Sequence, residues 1–391
     1  LSVTHRAGWV MAAPDRIFEN GYVTMQSGTI IDVGQGRGGA HTGQTVDHGP
    51  GVLMPSLVNA HTHLELTALQ NKTCIHNGFI SWVQSVIKAR EAVGELELLA
   101  GVQAGIEALS DSGALVIGDI SSTGMSRKAF CESRLSGAWF REYLGPDKEN
   151  IIKCEKIRPD QSVSLAGHGP HTTASDLLVR LKSAARAARL PFSLHLAEST
   201  AELEFLTTGK GEWANFLKER CLDPSIIKSI GVSPVEYADR LGLLDETTLA
   251  VHLVFANKKD ILLLQERNVS VCLCLRSNDI LHHRLPDVES MVAAGLNLCL
   301  GTDSLASSDS LSMFDEMRFL SRAFPGISPG QILSMATTGG ARALGYENRF
   351  GRLSTGFAVK MIYVPVAASA PGKVLQCLVN GGFTGNVTCM Y

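Results

Sequence analysis

The chain has 391 residues, with 35 Lys+Arg against 38 Asp+Glu and a formal net charge of -3. At 45% hydrophobic and 19% charged residues it holds ample material for a large core and too little charge to stay unfolded. It also has no block of like charges to mark a nucleic-acid or anionic-membrane partner. No stretch reaches the roughly 18 uninterrupted apolar residues of a membrane span, and Leu1-Ser-Val-Thr-His-Arg6 lacks the plan of a secretory leader. A cytoplasmic protein acting on a small molecule is the expectation. The nine Cys, none in a CxxC pair, read as buried reduced thiols.

Period-two patches bounded by Gly, Asn and Asp predict short strands at 7–11, 21–25 and 29–33, before a Gly-rich turn at 34–39. Eight apolar, strand-like runs follow, at 52–59, 114–120, 137–144, 162–166, 192–196, 249–254, 270–275 and 296–300. Most are separated by stretches with helical spacing, so the expected fold class is α/β, a (β/α)8 TIM barrel over residues 56–344. One such helix begins at Ser175-Asp176, read as its cap, with apolar positions 177, 178, 181 and 185 and Pro191 beyond its end. Others are predicted over 311–324 and 328–344, the latter with Pro329 in its first turn. The tail returns to Gly-punctuated strands at 361–364 and 386–390. A small composite β-sandwich domain from residues 1–55 and 345–391 is the economical organisation.

The chemistry concentrates at the ends of the barrel runs. His61-Thr-His63 closes the first one, and alternate residues on an extended segment point the same way, so both imidazoles can reach one ion. His195, His252 and Asp303 end the fifth, sixth and eighth runs. Each alone reads as a core His or a helix-capping Asp; together, at one barrel mouth, they converge. His61, His63, His195 and Asp303 form an N3O set suited to one divalent Zn or Fe ion, which would keep a position open for water and lower its pKa from 15.7 to about 7. Binuclear sites often need a bridging Lys on the fourth strand, and Ser164-Leu-Ala-Gly-His168 has none. Glu198, three residues after His195, is the candidate general acid-base, with burial expected to raise its pKa. His252 is then read as a hydrogen-bonding partner of water and substrate.

Pro55-Ser-Leu-Val-Asn-Ala-His61-Thr-His63, His195-Leu-Ala-Glu198, His252 and Gly301-Thr-Asp303-Ser304 resemble the amidohydrolase superfamily, specifically its chlorohydrolase and nucleobase-deaminase branch. The opening His5-Arg-Ala-Gly-Trp9 and the late Ala336-Thr-Thr-Gly-Gly-Ala-Arg-Ala-Leu-Gly345 extend the likeness to nearly the whole chain. The resemblance implies that His61, His63, His195 and Asp303 bind one Zn or Fe. It also implies that Glu198 and His252 shuttle protons and position water, that Asp303 accepts a proton from that water, and that the enzyme is a homodimer. Cys274-Leu-Arg-Ser-Asn278 and Gly78-Phe-Ile-Ser-Trp82 are most similar to the aminofutalosine deaminases of the menaquinone pathway. Leu275 stands where a Pro is usual, and Gly356-Phe-Ala-Val-Lys360 lacks the usual Gly-Lys-Asp-Ala-Asp.

Substrate contacts are expected from Glu65, Trp82, Arg141, His168, Arg276, Asn278 and Ser304, with Trp82 offering a stacking face and Arg276 a fork for a substrate carboxylate. Other deaminases of adenine or guanine compounds, a chloro-aromatic or cyclic-amide hydrolase, and a non-catalytic metal-binding subunit are the competing readings. A cytidine-deaminase fold is disfavoured by the missing P-C-x-x-C. His5, His41, His48, His76, His282 and His283 read as solvated, His171 as undecided, and Trp9, Trp139 and Trp213 as packing residues.

Overall fold

A computed structural model describes residues 2–38, 43–146, 150–220, 231–383 and 385–391. Its larger sheet is a nearly closed barrel of parallel strands alternating with helices. In order around the barrel these are Leu57–Thr62, Ala114–Ser121, Ser136–Tyr143, Gln161–Gly167, Phe192–Leu196, Thr248–His252, Ser270–Leu273 and Asn297–Leu300. An additional short strand, Glu155–Arg158, pairs antiparallel with the fourth. Inside the barrel Val58, Val116, Phe140, Ala166, Leu249 and Val251 form an apolar floor beneath the strand ends. Strands buried on both faces read as continuous apolar runs, which is why periodicity located all eight.

The run 52–59 departs from expectation, because it divides at Ser56. Val52–Pro55 pairs with Ser2–Ala13 and with Met361–Val364 in a separate seven-stranded sheet that unites strands from both ends of the chain. Leu57–Thr62 begins the barrel, and the Ser56 N–H between them donates to the Lys360 carbonyl at 2.9 Å. Both halves are buried and apolar, so composition alone carries no mark of the crossing.

Two helix expectations change in detail. Ser175 is the first helical residue of Ser175–Ala187 rather than its cap, which is Ala174 and has no side-chain hydrogen bond. Ser328 does cap its helix, with Gln331 completing a reciprocal capping box and Pro329 in the first turn. That helix continues as a π segment, Met335–Gly339, and a final turn, Gly340–Ala343. Gly339 lies so close to the eighth strand that a Cβ there would sit 2.2 Å from the Leu298 carbonyl oxygen. The eight cysteines among the described residues are all free, and Cys272, Cys274 and Cys299 are buried in the barrel, where burial pushes the Cys274 thiol up to about 12.

The barrel closes at the chemical end. Thr62 and Asp303 form a parallel bridge, Asp303 N–H donates to the His61 carbonyl at 3.1 Å, and Thr62 Oγ1 donates to the Asp303 carbonyl at 3.0 Å. One layer below, Asn59 Nδ2 donates to Thr302 Oγ1 at 2.7 Å, and Thr302 N–H returns to Asn59 Oδ1 at 3.2 Å. Gly301 permits this approach, since a Cβ there would meet the His61 carbonyl oxygen and Cys272 Sγ, each at 2.8 Å. Overpacking of this kind costs about 1–3 kcal/mol. Gly301→Ala is expected to lower unfolding free energy by about that amount, read as a shifted denaturant midpoint with an unchanged slope.

Candidate metal and catalytic site

Four strand ends bring the imidazoles together. The ring centroids of His61 lie 4.9 Å from those of both His63 and His195, and His195 stacks on His252 at 5.4 Å. All four side chains are buried or nearly so. Burial, then the neighbouring imidazoles His63, His195 and His252, holds His61 well below the ordinary histidine value; burial together with His252 and His63 brings His195 to about 3. Burial also lowers His63. Burial thus favours the neutral form of His61, His63 and His195, the form that ligates a metal.

The donor atoms fit a single cation. His61 Nε2 and His63 Nε2 lie 3.2 Å apart, and Asp303 Oδ1 lies 3.8 and 3.6 Å from them. Two nitrogens at the usual Zn–N length of about 2.0–2.1 Å in a tetrahedron would be separated by about 3.4 Å. His195 Nδ1–H donates to the His168 carbonyl at 2.8 Å, leaving Nε2 to the site. Asp303 is divided the same way. Ser277 Oγ and Ser307 Oγ donate to Oδ2 at 2.6 and 2.8 Å, so Oδ1 is the oxygen that faces the imidazoles.

The backbone contributes too. Ala197, His252, Leu253 and Asp303, at the ends of the fifth, sixth and eighth strands, have φ of 50, 80, 56 and 56°. A side-chain-bearing residue in this left-handed region costs of order 1–3 kcal/mol. The turns persist because buried partners hold them. Glu202, fully buried, accepts from the N–H groups of Ala197 at 3.0 Å and Glu198 at 2.7 Å. His252 Nδ1–H donates to Asn278 Oδ1 at 2.8 Å, which turns its Nε2 toward Glu198, 3.8 Å from Oε1.

Burial alone would raise the Glu198 carboxyl, but His252 and His282 outweigh it and hold it below its ordinary value. The expectation of a raised pKa is therefore corrected. Glu198 is thereby favoured as a carboxylate.

A sequence profile described as "Amidohydrolase family" matches residues 52–384. The chain is 31% identical over 323 residues to the aminodeoxyfutalosine deaminase of Deinococcus radiodurans, covering 77% of this chain and 75% of that protein. It is 28% identical over 377 residues to the 5-methylthioadenosine/S-adenosylhomocysteine deaminase of Syntrophobacter fumaroxidans, covering 90% and 81%. Its fold matches Helicobacter pylori aminofutalosine deaminase in complex with methylthio-coformycin, with a TM-score of 0.81 at 24% identity over 98% of this chain and 97% of that one. A Xanthomonas campestris adenosine deaminase with bound zinc gives a TM-score of 0.76 at 23% identity over 96% and 88%. The chain belongs to the amidohydrolase family. It is therefore a hydrolase of non-peptide carbon-nitrogen bonds.

Around this amidohydrolase's site the expected substrate residues divide. Glu65 is committed to the loop after the second strand, accepting from Ser121 Oγ, from the N–H and Oγ of Ser122, and from the N–H and Oγ1 of Thr123. Asn278 serves His252. Ser304 is buried, with its Oγ 3.4 Å from Ser307 Oγ. Arg276 pairs with Asp309, has Glu316 at 3.7 Å and donates to the Ser310 carbonyl. Trp82 is half-buried, its Nε1–H donating to the Ala306 carbonyl at 2.9 Å. His168 lies against His195, ring centroids 4.7 Å apart. Arg141 and Arg90 both donate to Ser122, one to its carbonyl and one to its Oγ.

Several polar residues at the site were not among the expected contributors. Asp119 accepts from Leu64 N–H at 3.0 Å, anchoring the turn that carries His63, and from Ser126 Oγ at 2.6 Å; burial, despite those hydrogen bonds, pushes it up to about 8. Glu142, pushed up to about 8 by burial and then by Glu65, places Oε1 3.6 Å from His195 Nδ1. Glu202 had a legible signal, since Ser199-Thr-Ala-Glu202 is a helix-start pattern and Ser199 does cap the helix Thr200–Thr208. His171 is buried 3.6 Å from Glu202, beside Trp213. Trp9, Trp139 and Trp213 are buried, as packing residues should be. His76 and His283 are exposed. His5, by contrast, is buried and stacks on His48, and His41 lies outside the described residues.

Glu202→Ala strands two buried N–H groups at a strained turn. Turnover is expected to fall at least tenfold with bound metal unchanged, read by initial rates beside metal analysis, and Glu202→Gln should fall between the variant and the parent.

Proposed function

We propose that this amidohydrolase is a mononuclear, metal-dependent deaminase that removes the amino group of an adenine-bearing nucleoside carrying an acidic substituent, of the aminofutalosine kind, in the cytoplasm. The observation that carries this reading is Glu198 beside His252, next to the overlapping donor groups His61, His63 and Asp303 and His61, His195 and His252. Such a pair has no purpose in a closed structural metal site. A divalent cation held there, zinc or iron, would act as a Lewis acid and lower the pKa of a water from 15.7 to about 7. Zinc is supported by the bound ion in the Xanthomonas campestris structure.

The chain's own groups then divide the labour. Asp303 Oδ1 and the Glu198 carboxylate accept protons from the attacking water. Glu198 delivers its proton to the ring nitrogen, the proton held by Asp303 goes to the departing amine, and the substrate leaves with a carbonyl where the amine stood, together with ammonia. His252, its tautomer fixed by Asn278, hydrogen-bonds the attacking oxygen through Nε2. His168 and Trp82 flank the space for the base and sugar. Glu65 and Ser304 act by shaping the loops that border it.

Arg276 keeps Asp309 and Glu316 beside it, and Arg141 and Arg90, brought together on Ser122 from the third strand and the helix Phe79–Ala92, are read as further donors to a substrate carboxylate. A second reading, a methylthioadenosine or S-adenosylhomocysteine deaminase, is favoured by the match of the Syntrophobacter fumaroxidans relative over 90% of this chain. We also read the seven-stranded terminal sheet and the barrel as two units of one subunit, in a homodimer.

The test is ammonia release by the zinc- and iron-loaded protein from aminodeoxyfutalosine, S-adenosylhomocysteine, methylthioadenosine, adenosine and guanine. The highest kcat/KM is expected for aminodeoxyfutalosine. Glu198→Gln should lower kcat by about 10²–10⁴, and Arg141→Met should raise KM for the acidic substrates while sparing adenosine. Amine-independent ring opening or dechlorination, or full turnover by Glu198→Gln, would contradict the reading.

A further inference from the structure

The carboxylate that carries the proton has a second imidazole beside it. His282 is the last residue of the helix Leu275–His282, and His283, with φ of 48°, turns the chain away immediately after it. The expectation of a solvated side chain fails here, since it is 5% exposed. Its Nε2 lies 3.5 Å from Glu198 Oε1, the same oxygen that His252 Nε2 approaches at 3.8 Å. The ring is boxed by Phe79 at 5.1 Å and by Phe255, edge-on, at 6.2 Å. Three separate stretches of chain therefore converge to keep one imidazole against one carboxylate oxygen: the helix after the seventh strand, the helix Phe79–Ala92 and the turn after the sixth strand.

We infer that His282 is a positioning residue for Glu198, donating from Nε2 to Oε1 so that the proton in transit rides on Oε2. Nothing in the donor set or in the His252–Asn278 pair supplies this. A carboxylate approached only by His252, whose ring proton is given to Asn278, can rotate about its last bond and exchange its two oxygens, and each exchange misplaces the proton. A donor on one oxygen, in a ring that two aromatic side chains prevent from swinging, removes that freedom before substrate arrives. His282 keeps its own proton throughout. The charged and titratable groups facing the pair are His252, His195 beyond it, and Arg284, whose guanidinium lies 4.7 Å from the Phe255 ring centre.

The inference rests on Glu198 as the proton carrier, and the experiment separates the two ideas. In metal-loaded protein assayed with aminodeoxyfutalosine, His282→Ala is expected to lower kcat about tenfold with KM within twofold and metal content unchanged. His282→Gln, whose amide can still donate, should recover most of the loss, and His283→Ala should match the parent. Independently of any substrate, ¹⁵N-imidazole spectra should show the His282 Nε2 resonance displaced in Glu198→Gln, because its hydrogen-bond acceptor is no longer a carboxylate. An unchanged His282 Nε2 resonance in Glu198→Gln overturns the inference, as does parental kcat in His282→Ala or a loss that glutamine fails to rescue. Should the parent itself release no ammonia from any nucleoside, the deaminase reading fails while the imidazole spectrum still decides the contact.

Discussion

The site is governed by desolvation. Three imidazoles, His63, His195 and His252, lie within about 6 Å of His61 at the centre of a barrel mouth, away from water. His61, His63 and His195 lose affinity for a proton there, mainly through burial. Neutral rings aimed at one point repel through their lone pairs unless a cation stands between them. His61, His63 and His195 are therefore read as a ligand set, to which the Asp303 Oδ1 would add charge.

Everything nearby serves to hold that set against its own tendency to relax. Ser277 and Ser307 restrain Asp303, the His168 carbonyl restrains His195, Asn278 restrains His252, and Asp119 restrains the turn after His63. The same end of the barrel carries left-handed backbone at Ala197, His252 and Asp303, and its last seam is closed by the Thr62–Asp303 bridge. Closing the sheet and aiming a ligand are one event at Asp303. A fold that seals its barrel with a functional residue couples stability to chemistry, which explains why Gly301 must remain without a side chain.

The candidate donors are legible because each sits at the end of a buried apolar run, where a lone His or Asp is conspicuous. Their second partners are not. Glu65 looks like a substrate carboxylate in sequence, yet it is consumed by Ser121, Ser122 and Thr123, 56 to 58 positions away. Arg276 looks like an anion receptor, yet Asp309 and Glu316 reach it from the next loop and helix. Such choices depend on which loops meet over the mouth, and local periodicity holds no information about that. His282 escaped for a related reason, since a His-His-Arg run at a helix end has the composition of a solvated turn and only the aromatic box around it reveals otherwise. The split at Ser56 was hidden because both sheets bury the same kind of side chain on either side of it.

The most direct measurement is anomalous X-ray diffraction at the zinc and iron edges from crystals of the metal-loaded protein, with metal counted per chain in solution. One ion per chain is expected, bound by the Nε2 atoms of His61, His63 and His195 and by Asp303 Oδ1, with Glu198 and His252 alongside but not ligating. An ion bound elsewhere, two ions in the mouth, or protein that refuses metal while these four side chains keep their positions would contradict the account.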